Sequence, residues 1–206
     1  MKYLDFHKAF STLGCFDVNQ VKMVQTNFDR SALTRWMAAG YIVHLKNGLY
    51  AFKEWISTPE ADVIVANLMY RPSYVSLHSA LAHYGMIPEF VAHTTSVTTL
   101  KTVVFKNYLG TFDYRHIKPE LFWGYQIIDT TSNRKTLMAL PEKALLDLLY
   151  LNPSIKSEED MAQLRLDEDY MANDFNRDRA LQFLERIKSK ALSQRFNLLQ
   201  RVYLND

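Results

Sequence analysis

Residues 45 to 52 read LKNGLYAF, and the Asn47-Gly48 pair inside them restricts the fold more than any other short stretch. Both residues tolerate positive φ, which the two-residue type I′ turn between antiparallel strands requires. Residues 42–45 and 49–52 are therefore expected to pair. The segment before them, DRSALTRWMAAG, reads as a helix. Asp29 supplies an N-cap acceptor, Leu33, Trp36 and Met37 recur at i, i+3 and i+4, and Gly40 ends the periodic run. A helix thus stops a residue or two before a tight, basic hairpin.

Two shorter helices are expected upstream. One covers residues 4–13, faces inward through Leu4, Lys8 or Ala9, and Phe10 or Leu13, and closes at Gly14; the other covers residues 18–24 and is capped by Asp17 or Asn19. On the outer side of the third helix stand Arg30, Ser31, Thr34, Arg35 and Ala38, a small, polar or basic set with no acid in it. Charge follows the same division. Residues 1–53 hold seven Lys or Arg against three Asp, a net +4, and the remaining 153 residues hold 17 basic against 19 acidic side chains. A basic head on a mildly acidic body suits phosphate neutralisation by the head. Helix, helix, recognition-type helix and Gly-turned hairpin predict a winged helix-turn-helix. Its DNA-binding candidates are Arg30, Ser31, Thr34 and Arg35 on the helix, with Lys46 and Asn47 at the wing.

Around KEWISTPEAD a proline break and a fresh cap mark a boundary, which divides the chain into residues 1–55 and 56–206. Beyond it a helix is expected over residues 61–69. A second, SYVSLHSALAHYGMI, follows Pro72, buries Val75, Ala80, Leu81 and Tyr84, and ends at Gly85. The β-branched and aromatic runs TTSVTTLKTVVF, GTFDYRHI, LFWGYQIID and KTLMAL predict a small sheet, with turns at residues 107–110 and 130–134. A proline-started helix covers residues 141–151. Residues 157–203 read as two or three amphipathic helices with an apolar seam of Leu181, Leu184 and Ile187. The fold class expected is α+β: a winged-helix head, a mixed α/β body with a small sheet, and a helical C-terminal tail.

The same residues exclude several function classes. A single cysteine, Cys15, forms no internal disulfide, and no Cys/His set has zinc-site spacing. No signal-peptide pattern and no run of ~20 apolar residues is present, so a cytoplasmic location away from the membrane is expected. His78 and His83 stand five apart and face different ways, and His7, His93 and His116 lack acid or thiol partners at ligand spacing, so no metal is expected. Asp113 with Arg115, or Glu142 with Lys143, is the nearest approach to a nuclease-like constellation. Neighbours on a helix diverge by about 100°, however, which keeps Glu142 and Lys143 from serving one centre. No phosphate-cradling loop or nucleophile elbow occurs. The expectation is a protein without catalytic activity or cofactor. The nine aromatics Trp36, Trp55, Phe105, Tyr108, Phe112, Tyr114, Phe122, Trp123 and Tyr125 are read as core packing rather than a base-stacking platform.

Five stretches in order, AAGYIVHLKNGLYAF, PSYVSLHSALAHYGMIP, TTSVTT, GTFDYRHIKPELFWGY and ALPEKALLDLLYL, resemble the AbiEi-type antitoxins of type IV abortive-infection toxin-antitoxin systems, over about residues 18–151. The resemblance implies a bacterial phage-defence protein with two roles. Its winged helix would repress its own operon at inverted repeats in double-stranded DNA, and its C-terminal part would counteract a nucleotidyltransferase-like toxin. It carries basic DNA contacts over to Arg30, Arg35 and Lys46. Two alternatives stand beside it: a nucleic-acid-processing enzyme delivered by the winged helix, and a protein-interaction adaptor that has lost DNA binding.

Overall fold

The computed structural model describes residues 1–88, 91–130 and 134–204, and over them the chain is mixed α+β with ten helices and two sheets. Helix α1 (Tyr3–Phe10) is amphipathic, but its buried side is Phe6 and Phe10, whereas Leu4 is exposed. Of the expected inward set Phe10 is buried and Leu13 half-buried, whereas Leu4, Lys8 and Ala9 lie outside and Phe6 takes their place. Phe6 decides this, because its ring packs against those of Phe10, Phe16, Phe28, Trp36 and Phe52. A 3₁₀ turn (Ser11–Leu13) replaces the last helical turn expected, and Gly14 turns the chain at φ +66° into β1 (Cys15–Asp17).

Helix α2 (Val18–Val24) starts with a capping box in which Asp17 and Gln20 exchange bonds, so the cap is Asp17. Helix α3 (Ser31–Ala38) buries Leu33 and Trp36 and half-buries Met37, as its periodicity predicts. Strands β2 (Ile42–Lys46) and β3 (Leu49–Phe52) form the expected hairpin, and β1 joins them in a three-stranded sheet of order β1-β3-β2. The turn is not of the expected type I′. Only Gly48 has positive φ, +81°, and the register slips between His44 and Lys46. The bulge has a consequence on both sides of the strand, since it sends Leu45 into the core and turns Lys46 away from the Ile42 side.

A 3₁₀ turn (Trp55–Ser57) leads to α4 (Ala61–Met69), which is buried almost throughout. The expected helix after Pro72 is divided: residues 73–75 form β4 (Ser73–Val75), and only α5 (Leu77–His83) is helical. Tyr74 and Val75 are strand formers placed between two partner strands, so pairing overrides the helical pattern. Strands β5 (His93–Thr98), β6 (Val103–Asn107), β7 (Gly110–His116), β8 (Tyr125–Asp129) and β9 (Lys135–Ala139) complete a six-stranded mixed sheet of order β6-β7-β5-β4-β9-β8, larger than the small sheet expected. The expected turn at residues 130–134 falls partly outside the described residues.

Pairing partners show which helix covers which face. Val75 lies opposite Ser96 and Met138, and Ser96 opposite Tyr114, so these residues share one face. Tyr114 donates from its hydroxyl to the Ala66 carbonyl of α4, 2.7 Å, and Thr136 to that of Val63, 3.1 Å. Tyr74 points to the other face, where α6 (Pro141–Leu151) lies. The tail is four helices: α7 (Glu158–Ala162), α8 (Glu168–Asn173), α9 (Arg177–Ile187) and α10 (Lys190–Tyr203). In the expected seam Leu184 is buried and Ile187 half-buried, but Leu181 is exposed.

Candidate nucleic-acid interface

The outer side of α3 presents Arg30, Ser31, Thr34, Arg35 and Ala38, every one exposed or half-exposed and none buried. Four of the six candidate residues are thereby brought together on one turn and a half of helix. The face is not free of acid, as the sequence suggested, because Asp29 bends back over it. Its Oδ1 accepts from the Ser31 N–H at 2.8 Å and its Oδ2 from the Ser31 hydroxyl at 2.5 Å. Arg35 Nη1 donates to Ser31 Oγ at 3.0 Å, and Nη2 stands 3.5 Å from Asp29 Oδ2. The Ser31 hydroxyl and N–H hold the Asp29 carboxyl below its ordinary value, with the Arg35 guanidinium a lesser cause. Arg35 is thus held in a network with its charge partly compensated, while Arg30 extends beside it exposed.

The two candidates on the hairpin diverge. Asn47 is exposed at the turn. Lys46, expected near the tip facing phosphate, instead donates to the Met69 carbonyl at 2.7 Å and stands 4.2 Å from the Phe105 ring centroid and 4.8 Å from that of Tyr70. Desolvation pulls its ammonium below the usual lysine value. The cause is the bulge before it together with the edge of the large sheet, which meets the hairpin here: Asn107 Nδ2 donates to the Leu45 carbonyl at 3.2 Å. The ammonium therefore faces the end of α4 and the edge strand β6. No local signal in LKNG announces this, since the acceptor lies 23 residues downstream.

Other candidate groups are placed as follows. His7 Nε2 lies 2.6 Å from Glu54 Oε1, a partner that residue spacing does not reveal. His116 Nδ1 is 2.9 Å from the Leu100 carbonyl. Among the described residues no three His, Cys, Asp or Glu side chains converge as a metal site. Of the nine aromatics, Trp36, Trp55, Phe112 and Tyr114 are buried and Tyr108 is exposed, where its ring lies under the Lys53 ammonium. Glu142 and Lys143 do point apart: Glu142 meets Arg179 at 3.4 Å, and Lys143 turns to Asp147.

Lys143 belongs to a buried polar cluster that sequence reading missed. Its Nζ donates to the Tyr74 hydroxyl at 2.8 Å and to Asp147 Oδ1, while Asp147 Oδ2 accepts from Tyr74 at 3.0 Å and from Ser76 at 2.9 Å. Burial and the Asp147 charge push the Tyr74 phenol far up. The i, i+4 spacing of Lys143 and Asp147 was the available signal. Lys143, Tyr74 and Ser76 are wholly enclosed, so the cluster bolts α6 to β4 and presents nothing to solvent. Among the described residues no helix is long and apolar enough to cross a membrane. Compared with known proteins, the chain matches no family model and no curated sequence.

Proposed function

We propose that residues 1 to about 55 form a winged-helix DNA-binding head, that residues 56–206 form an antitoxin-type body, and that the protein is a transcriptional regulator repressing its own operon. The observation that carries the DNA half is the outward Arg30, Ser31, Thr34, Arg35 and Ala38 face of α3, preceded by two helices and followed at once by a hairpin. In this reading α3 enters the ~12 Å major groove, where small Ala38 permits close approach and Arg30 and Arg35 meet phosphate or guanine. Ser31 and Thr34 hydroxyls serve phosphate or base edges, and Asn47 reaches the backbone from the turn. Lys46 stays with the body and takes no part. Binding is non-catalytic and needs no cofactor or metal. Action as antitoxin to a nucleotidyltransferase-like toxin is supported by the ordered sequence resemblance alone.

A second reading, an adaptor without DNA binding, is favoured by Arg35 being paired with Asp29 and Lys46 being turned inward. Fluorescence anisotropy separates the two. The intact protein is titrated into a duplex from its own upstream region and into scrambled DNA at several salt concentrations. The DNA reading expects preference for the upstream duplex, and in Arg30→Ala a salt slope lower by about one unit for each phosphate that the variant no longer neutralises. Absence of salt-sensitive binding at low ionic strength establishes the adaptor. The antitoxin half is tested by reading the genes beside this one for a nucleotidyltransferase-like toxin and co-expressing the two, where a toxin gene whose growth arrest is relieved is the expected result and its absence overturns that half.

A further inference from the structure

Parallel strands β4 and β9 pair through Val75 opposite Met138, and before that point they separate. Asn67 of α4 fills part of the gap, its Oδ1 accepting from the Leu137 N–H at 2.6 Å and its Nδ2 donating to the Leu137 carbonyl at 3.1 Å. The remainder of the gap is a cleft of about 360 Å³. Three cations, Arg71, Arg134 and Lys135, line it, and no acid stands among its described lining residues. Two half-buried aromatics, Phe122 and Tyr125, form part of its wall. Ser73, also in the wall, is 3% exposed, and its hydroxyl finds no hydrogen-bond partner among the described residues.

These features are costly for a cleft that stays empty. Like charges gathered at a low-dielectric wall repel one another, and they focus a positive field on whatever anion enters. An unpartnered buried hydroxyl is destabilising, and the great majority of such groups are satisfied. Both guanidinium-bearing residues, Arg71 and Arg134, line the same cleft. Among the described residues, each guanidinium also has N–H groups that meet no acceptor. Arg71 uses Nε on the Asn67 carbonyl at 3.1 Å, and Arg134 uses Nη1 on the Leu13 and Cys15 carbonyls. The volume sits at the lower end of small-molecule sites, roughly 300–1,000 Å³, which suits one phosphorylated ring and not a dinucleotide.

We propose that the β4–β9 cleft binds a phosphorylated ring compound of mononucleotide size, with the phosphate held by Arg71, Arg134 and Lys135 and the ring against Phe122 and Tyr125. The site is separate from the α3 face and does not depend on DNA binding there.

Isothermal titration calorimetry with AMP, GMP, CMP and UMP on the full chain tests it, with adenosine and inorganic phosphate as partial probes. Expected is one-to-one binding of at least one mononucleotide, weakened at least about tenfold in Arg71→Ala/Lys135→Ala and unchanged in Arg30→Ala/Arg35→Ala. Adenosine and phosphate alone should each bind at least about tenfold more weakly than the nucleotide. Lys135→Gln, at an exposed strand position, provides a second variant that should weaken binding by roughly threefold or more. The proposal is overturned if none of the four nucleotides binds at millimolar concentration, if the cleft variants bind as wild type, or if phosphate alone binds as tightly.

Discussion

Arg35 and Asp29 show how one acid can set the strength of a basic face. Asp29 lies at the start of α3, where a carboxylate is favoured by the helix dipole and by the Ser31 N–H, yet the same carboxylate faces the Arg35 guanidinium. If α3 meets DNA, Asp29 repels the phosphates that Arg35 attracts. Asp29→Asn keeps an acceptor for Ser31 and removes the charge. It is expected to tighten binding to the upstream duplex by up to roughly fivefold at low salt, read by anisotropy, with little effect at high salt. Since the Asp29 carboxyl is held below its ordinary value, lowering the pH to about 5 leaves it charged and gives no such gain in the wild type.

Cys15 makes a different residue-scale prediction. Its buried thiol is pushed up from 9.0 to about 11, mainly by desolvation. In the native protein at neutral pH it is a protonated, enclosed thiol, so a disulfide reagent should label it only after unfolding. The sign of its pH effect follows from which state ionises first. Between the ordinary value and the raised one the unfolded chain has lost the proton and the folded chain keeps it, so stability falls as pH rises through that interval. Urea titrations of wild type and Cys15→Ala should show a component of on the order of 2 kcal/mol present only in the wild type.

Among the elements, α6 depends most on a buried charge pair. Lys143 and Asp147 are enclosed at 0% and 5% side-chain exposure and share Tyr74 as a partner, with Ser76 bonded to Asp147. Removing one charge leaves the other buried without its counter-ion, whereas removing both leaves no buried charge, although the Tyr74 and Ser76 hydroxyls then lose their acceptor. Lys143→Met alone is therefore expected to cost about 3–5 kcal/mol in urea unfolding, and Lys143→Met/Asp147→Leu to recover a large part of that loss. Equal losses in the single and double variants would show that the pair contributes nothing beyond shape. The hairpin β2–β3 is an element of another kind. Its turn residues were legible from Asn47-Gly48, but a single bulge changed which side chain points where. A slip of one residue reverses facing in a strand, and no propensity scale registers it.

At the scale of the whole molecule, long-range side-chain hydrogen bonds tie the first 55 residues to the rest at four places among the described residues. Lys46 bonds the Met69 carbonyl, Lys53 bonds the Tyr108 hydroxyl, Asn107 bonds the Leu45 carbonyl, and Arg134 bonds the carbonyls of Leu13 and Cys15. Gly14 adds a further constraint. A Cβ there would overlap the Trp55 ring, at a φ of +66°, so only glycine lets the Trp55–Ser57 turn pack against the start of β1. One cooperative transition is therefore expected when tryptophan fluorescence and far-UV circular dichroism follow unfolding in urea. The double variant Lys46→Ala/Arg134→Ala should lower the midpoint by an amount equivalent to roughly 2–4 kcal/mol and separate the two probes' transitions. Coincident transitions in that variant would mean that apolar packing alone joins the units.

Local sequence was sufficient for features whose physics is local. Asp17 and Gln20 cap α2, Leu33 and Trp36 face α3 inward, Gly48 permits the turn, and Pro141 opens α6, each through interactions within a few residues. The outward set Arg30, Ser31, Thr34 and Arg35 belongs with them, because a helix's outer face follows from its inner one. Tertiary packing alone decided that Leu4 lies outside and Phe6 inside, that residues 73–75 leave a helical pattern to become a central strand, that Lys46 turns to the Met69 carbonyl, and that Arg71 and Arg134 line one cleft with Ser73. In each of these the energy comes from a partner far along the chain, such as a ring cluster, two neighbouring strands or a distant carbonyl. A pattern read over a few residues carries no information about which distant group will arrive.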